Sequence, residues 1–210
     1  GWYWSATSAA GTPAHAWYVD MDGGRMFYGG KDQSFLVWPV RGENRMLPAT
    51  GQTLCYDDQG EVVSCAGTGQ DGELRTGLSW PAPRFSARKE TALDRLTGLA
   101  WRRAAGLAPE EGVTWHEALA AVARLNNEND AGWRLPNINE LESLVDCDAA
   151  NPALPSNHPF AQVRDVYWSS TTSLYEPDWA WALYLDKGAG VGQKSQARFQ
   201  VWPVRENHAF

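Results

Sequence analysis

Hydrophobic positions late in the chain follow a period of two. Trp179, Trp181, Leu183 and Leu185 interleave with Ala180, Ala182, Tyr184 and Asp186, which predicts a strand with one apolar face. His15, Trp17, Val19 and Met21 hold the matching positions near the start. Asp22-Gly23-Gly24 and Asp186-Lys187-Gly188 are turn signals after these strands. A last strand is predicted over residues 199–205, with Pro203 marking an edge or a bulge. The helical period appears only in the middle. Thr114 and Glu117 form a capping-box pair ahead of Trp115, Ala118, Leu119, Val122 and Leu125, and Asn126-Asn127 with Asn129-Asp130 end that helix. Asn137 and Glu140 cap a second, shorter helix carrying Ile138, Leu141, Leu144 and Val145. Residues 96–103 read as a strand, and residues 104–112 and 148–160 as loops. Helices set apart from β-hairpins predict an α+β fold, not βαβ units.

The two ends of the chain are copies of one unit. At an offset of 164 residues, Tyr3-Trp4-Ser5 meets Tyr167-Trp168-Ser169, and Ala16-Trp17 meets Ala180-Trp181. Val37-Trp38-Pro39-Val40-Arg41 likewise meets Val201-Trp202-Pro203-Val204-Arg205. Residues 1–44 and 165–208 are therefore a duplication. Differences concentrate in residues 8–12 against 172–176 and 25–34 against 189–198, which read as diverged loops on a retained scaffold. Such loops either simply tolerate change or form a variable recognition surface. The repeated tryptophans at 4, 17, 38, 168, 181 and 202 read as core.

Composition and charge narrow the classes. The 210 residues carry a net charge of −7, which argues against nucleic acid as a partner. No apolar run is long enough to span a membrane, so no membrane insertion is expected, and no signal-peptide pattern opens the sequence. Cys55 and Cys65 flank a strand, an Asp/Gly turn and a second strand, a length that suits a disulfide; two thiols in a reducing compartment are the alternative. Cys147 has no mate and is expected as a small buried hydrophobe. The four histidines are scattered, so no metal site and no cofactor are expected. His116 reads as solvent-exposed, His158 as a packing residue and Ser169 as a scaffold hydroxyl.

A series of motifs then brings in a family. Asp94-Arg95-Leu96-Thr97-Gly98-Leu99-Ala100-Trp101, Thr114-Trp115-His116-Glu117-Ala118, Trp133-Arg134-Leu135-Pro136-Asn137 with Glu140-Leu141, and Tyr167-Trp168-Ser169-Ser170-Thr171 occur in order before the closing Val201–Arg205 run. The chain resembles the Lcl C-terminal domain family over about residues 47–207. That family is similar to C-type-lectin-like folds, including formylglycine-generating enzymes. The resemblance implies helices packed on twisted antiparallel hairpins, with a ligand-facing loop surface. The enzymatic branch uses cysteine chemistry in its C-terminal half, and no cysteine follows Cys147 here. Glu176-Pro177-Asp178 resembles the calcium-and-sugar tripeptide of true C-type lectins, but the first copy has Thr12-Pro13-Ala14 and no Trp-Asn-Asp motif occurs.

Three segments follow: 1–44 as the back half of a preceding copy, 45–92 as a lead-in with the cysteine hairpin, and 93–210 as the helices and second β unit. Residues 1–44 are expected to pack on residues 45–92, on the complete domain, or on another chain, since alone they would leave a tryptophan-rich face uncovered. The expected function is a non-enzymatic extracellular, cell-surface or periplasmic module that binds a glycan or a protein. The alternative is an assembly domain that forms homo-oligomers through its tryptophan face. Candidate ligand residues are the non-repeated Tyr175, Glu176, Asp178, Trp179, Tyr184, Lys187, Gln193, Lys194, Gln196 and Arg198.

Overall fold

A computed structural model describes residues 1–42, 46–126, 132–186 and 188–207, with residue 189 described by its backbone alone. Asn127, Asn129 and Asp130 of the expected helix stop, Lys187 of the expected turn and site, and the boundary at 44/45 lie outside the described residues. Small antiparallel sheets and three short helices make up the described chain, an α+β architecture. The chain divides into two compact units. The first is Gly1–Trp80 with Val145–Ser156 and Asp186–Gly188; the second is Pro81–Leu144, Asn157–Leu185 and Ala189–Phe210.

The first unit opens with a meander of β1 (Trp2–Ser8), β2 (His15–Asp20) and β3 (Arg25–Gly30). A short hairpin of β4 (Cys55–Tyr56) and β5 (Val62–Val63) follows, then the single turn of α1 (Asp71–Leu74). The Cys55–Cys65 disulfide closes that hairpin with a Cα separation of 5.2 Å. Asp57 turns it, its carboxylate accepting the Gln59 and Glu61 amides. Polar side chains fasten β1 to this segment. Thr7 and Thr50 both donate to Asp71 Oδ2, and the Gln52 amide accepts from Ser8 N while donating to Ser8 O. Cys147 is half-buried rather than buried, and its backbone joins this network: its N–H donates to Thr50 O and its carbonyl accepts from Gln52.

The second unit holds a sheet of β6 (Phe85–Ala87), β7 (Thr91–Asp94), β8 (Leu99–Arg102) and β12 (Val204–Glu206), in the order β12-β8-β7-β6. It also holds α2 (Trp115–Asn126), α3 (Ile138–Glu142) and the meander β9 (Val166–Thr172), β10 (Trp179–Tyr184) and β11 (Gly188–Gln193). Both capping boxes form: Glu117 Oε2 accepts the Thr114 amide, and Asn137 and Glu140 exchange side-chain and backbone bonds. Leu119 is exposed while Ala118 and Val122 are buried, so the apolar stripe of α2 is narrower than its sequence reads.

Several expected boundaries shift. The expected strand at 96–103 is shorter, only β8 at Leu99–Arg102, because Leu96-Thr97-Gly98 belongs to the turn from β7: Asp94 accepts the Leu96 amide, Thr97 accepts the Leu99 amide, and Gly98 takes a φ of 76°. The last strand begins only after Pro203. The segments 25–34 and 189–198, read as diverged loops, contain most of the third strands of the two meanders, Arg25–Gly30 and Gly188–Gln193. An edge strand needs backbone pairing on one side only, so its sequence drifts and its alternation is lost. Ala180 and Ala182 are fully buried along with Leu183 and Leu185, so β10 is covered on both faces rather than one. Alanine is required where α2 presses on the sheet: Ala118 and Val122 pack there with Trp168, Ala180, Ala182 and Val201. On the opposite face Tyr167 meets Trp202, which also meets Trp101 and Phe160.

Candidate functional site

The duplication extends to individual hydrogen bonds. β1 pairs with β2 as Trp2↔Asp20, Tyr3↔Val19 and Trp4↔Tyr18, then slips to Ser8↔Ala16. β9 pairs with β10 as Val166↔Tyr184, Tyr167↔Leu183 and Trp168↔Ala182, then slips to Thr172↔Ala180, the same register displaced by 164 residues. Serine holds each bulge. Ser5 Oγ donates to Trp17 O at 2.9 Å and accepts from Thr7 N; Ser169 Oγ donates to Trp181 O at 2.8 Å and accepts from Thr171 N. Ser169 is thus the scaffold hydroxyl that its repetition predicts. The returning segment is also shared, with Trp4 N donating to Leu36 O and Trp168 N to Gln200 O, both at 3.0 Å.

On this common frame the loops of the second copy carry most of the sequence-selected residues. The β9–β10 loop has the same closing bonds in both copies: Ser173 N to Trp179 O and Trp179 N to Glu176 O, against Ala9 N to His15 O and His15 N to Thr12 O. It presents Leu174 and Tyr175 to solvent at 94% and 75% exposure. Beneath that tip Lys194 Nζ donates to Thr172 Oγ1 and Pro177 O and stands 4.5 Å from the Trp115 ring. Lys194 N also donates to Asp178 O, and Gln193 Nε2 reaches Asp178 Oδ2 at 3.4 Å. Asp178, Gln193 and Lys194 therefore form one cluster beside the Tyr175 loop. Gln196 is exposed, and Arg198 leans toward Gly112 O and Glu117. Glu176 and Trp179 are half-buried at the loop base, and Tyr184 packs on Phe199, away from the cluster.

The first copy presents a different surface. Trp38 is 65% exposed where Trp202 is buried completely, and Val37 and Val40 are exposed where Val201 and Val204 are buried. Trp4 and Trp17 are only half-buried. The expectation that all repeated tryptophans are core holds for Trp168 and Trp202; Trp181 is also half-buried. The second copy has α2 and α3 against its meander, whereas in the first unit the single turn of α1 lies against β1. Aromatic rings remain in view instead: Trp2 stacks on Tyr18 at 5.6 Å, and Phe35 contacts both. Loop divergence does not reveal these residues, since Tyr18 lies within a retained strand; the Ala182-to-Tyr18 difference is the signal that does.

Few groups here are placed for acid–base chemistry. His116 is exposed beside Trp115; His158 stacks on Phe160, its Nδ1 accepting the Phe160 amide, and burial lowers its pKa. Glu142 is pushed up to about 7 by burial alone. No group of three or more His, Cys, Asp and Glu side chains suited to hold a metal ion occurs among the described residues.

A family model described as the Lcl C-terminal domain matches residues 90–205, more than half of the sequence. The chain belongs to the Lcl C-terminal domain family. No curated protein and no solved structure matches it. The residues that mark the Lcl C-terminal domain in this sequence are architectural. Asp94 ties the β7–β8 turn to Arg84, and Trp101 is fully buried against Trp202. Trp115 Nε1 donates to Ser169 O, and Arg205 lies over the Trp133 ring at 4.5 Å. Arg134 clamps Glu140 with bonds of 2.7 and 2.6 Å and reaches Glu206 at 3.1 Å. Asn137 caps α3, while Ser170 N donates to Pro136 O. The motifs of the Lcl C-terminal domain thus hold helices to sheet, and the exposed loops lie between them.

Proposed function

We propose that the chain is a non-enzymatic recognition module of an exported bacterial protein, binding a glycan or protein ligand through loops on a lectin-like β scaffold. One observation carries this reading. The two copies keep the same strand register, bulge and loop-closing bonds, yet differ in the side chains those loops expose. The ligand surface is assigned to Tyr175, Glu176, Asp178, Gln196 and Arg198. Trp179 and Lys194 support the loop from below. The Cys55–Cys65 bridge supports placement in an oxidising compartment, at the cell surface, outside the cell or in the periplasm. No helix among the described residues is long and apolar enough to cross a membrane. Helices packed on small antiparallel sheets support the lectin-like comparison. Neither a cofactor nor calcium is part of the proposal, and the net charge of −7 supports a partner other than nucleic acid.

The test is a combined glycan and protein array probed with the intact chain and with Tyr175→Ala, Gln196→Ala and Arg198→Ala. Capture weakened at unchanged melting temperature supports the assignment; unchanged capture refutes it. One observation favours a second reading. Leu36, Val37, Trp38 and Val40 form an exposed apolar run, as an assembly domain would display. Light scattering after size exclusion separates the two, since assembly requires a stable oligomer at micromolar concentration.

A further inference from the structure

Divergence between the copies also changes what one face of the sheet can hold. In the second unit Ala180 and Ala182 lie under α2, against Ala118 and Val122. The positions 164 residues earlier are Ala16 and Tyr18, and Val166 is replaced by Trp2. A phenol ring in place of a methyl group occupies the volume that a packed helix needs. The rings instead form an open platform. Trp2 and Tyr18 stack with an interplanar angle of 24°, and Trp2 remains 47% exposed. Where this platform meets the edge of β3, a cavity of about 550 Å³ opens between Trp2, Tyr18, Tyr28 and Gln33. Gly29 leaves room for the Gln33 side chain there, since a Cβ at that position would stand 2.6 Å from Gln33 Oε1. His15 also lines the cavity, and its Nδ1 has no hydrogen-bond partner among the described residues. No Asp, Glu, Lys or Arg is among the described residues lining it.

We propose that this cavity binds a neutral sugar. Exposed flat rings offer the stacking face that the C–H side of a pyranose uses, and the Gln33 amide and the tyrosine hydroxyls offer partners for sugar hydroxyls. The described lining residues carry no Lys or Arg to pair with sulfate or carboxylate, which disfavours sulfated or carboxylated glycans. The site rests on the reading of the chain as a recognition module, but it uses none of the residues assigned to the second copy's loops.

The test titrates the intact 210-residue chain with cello-, laminari-, chito- and mannohexaose, and with heparin, by calorimetry and tryptophan quenching. Saturable binding of at least one neutral hexaose is expected. It should be weakened about tenfold by Trp2→Ala, reduced by Gln33→Ala, largely kept by Trp2→Phe, and indifferent to Tyr175→Ala. Thermal melts of each variant separate lost binding from lost fold. Binding that survives both Trp2→Ala and Gln33→Ala overturns the site, as does a preference for heparin. Failure of all four hexaoses at millimolar concentration, while an array ligand is still captured through Tyr175, overturns the sugar site and leaves the recognition reading standing. Failure to capture anything removes both.

Discussion

Replacing Asp94 with alanine should unfold the second unit more readily than any surface change. Arg84 and Asp94 have side-chain exposures of 3% and 0% and are joined by two bonds, Nε to Oδ1 at 3.1 Å and a second-nitrogen bond to Oδ2 at 2.8 Å. The Arg84 guanidinium also donates to Ser143 O, and Asp94 accepts the Leu96 amide. Truncation removes the partner of a buried cation and the anchor of the β7–β8 turn together. Breaking a buried pair in this way costs about 3–5 kcal/mol, a large share of the roughly 5–15 kcal/mol that holds a domain together. For a unit of this size the melting temperature should fall by about 10–18 °C. Differential scanning calorimetry and urea titration of wild type, Asp94→Ala, Asp94→Asn and the double variant Arg84→Met/Asp94→Leu measure it. Asp94→Asn keeps an acceptor for Leu96 and should lie between wild type and Asp94→Ala, while the double variant should recover much of the loss. An Asp94→Ala variant within about 1 kcal/mol of wild type would refute the assignment of the pair as the anchor of this hairpin.

Glu142 supplies a pH prediction. Burial raises its pKa from 4.5 to about 7, so the folded chain binds more protons than the unfolded chain between those values. Its contribution is therefore favourable at acid pH and is lost as pH rises through about 4.5 to 7; Glu142→Gln should stabilise the chain at pH 8 by about 1–3 kcal/mol and change little at pH 4, read from urea midpoints. Cys55→Ser with Cys65→Ser opens a loop with a sequence separation of 10 residues; the loss should be about 2–3 kcal/mol and should match the effect of reductant on the wild type. Ser5→Ala and Ser169→Ala remove the same pair of bonds from exposed and buried copies of one bulge. The second should cost about 1–3 kcal/mol and the first less than about 1 kcal/mol, and equal losses in denaturant titration would contradict the difference in burial.

Elements with strong local signals were legible from the residues alone. The Thr114 and Asn137 capping boxes and the Asp57 turn each rest on side chains within a few positions of the feature they build, and the repeat on identities at one fixed offset. What was missed depends on distant partners. The alanines of β10 look indifferent until α2 is placed on them, and Trp38 looks like core because Trp202 is core. The third strands were hidden because β11, Gly188–Gln193, has no alternation and the copies slip by one residue there: Gln33 N donates to Gly30 O, and Gln196 N to Gln193 O, an offset of 163. For the candidate site, loop divergence pointed to Tyr175, Asp178 and Gln193, and the structure brings the last two together through Lys194. Trp2, Tyr18 and Gln33 escaped notice because their cavity arises from side chains on three separate segments of the first copy.

If a fixed scaffold carries interchangeable recognition loops, a loop exchange should move recognition without unfolding the chain. Residues 173–178 and 9–14 are equal in length, close with equivalent backbone bonds, and share Pro177 and Pro13. A chain carrying Ala9-Ala10-Gly11-Thr12-Pro13-Ala14 in place of residues 173–178 should melt within a few degrees of wild type and lose the wild-type ligand on the array. Retained capture would place recognition elsewhere. A chain that fails to fold would contradict the equivalence of the two scaffolds.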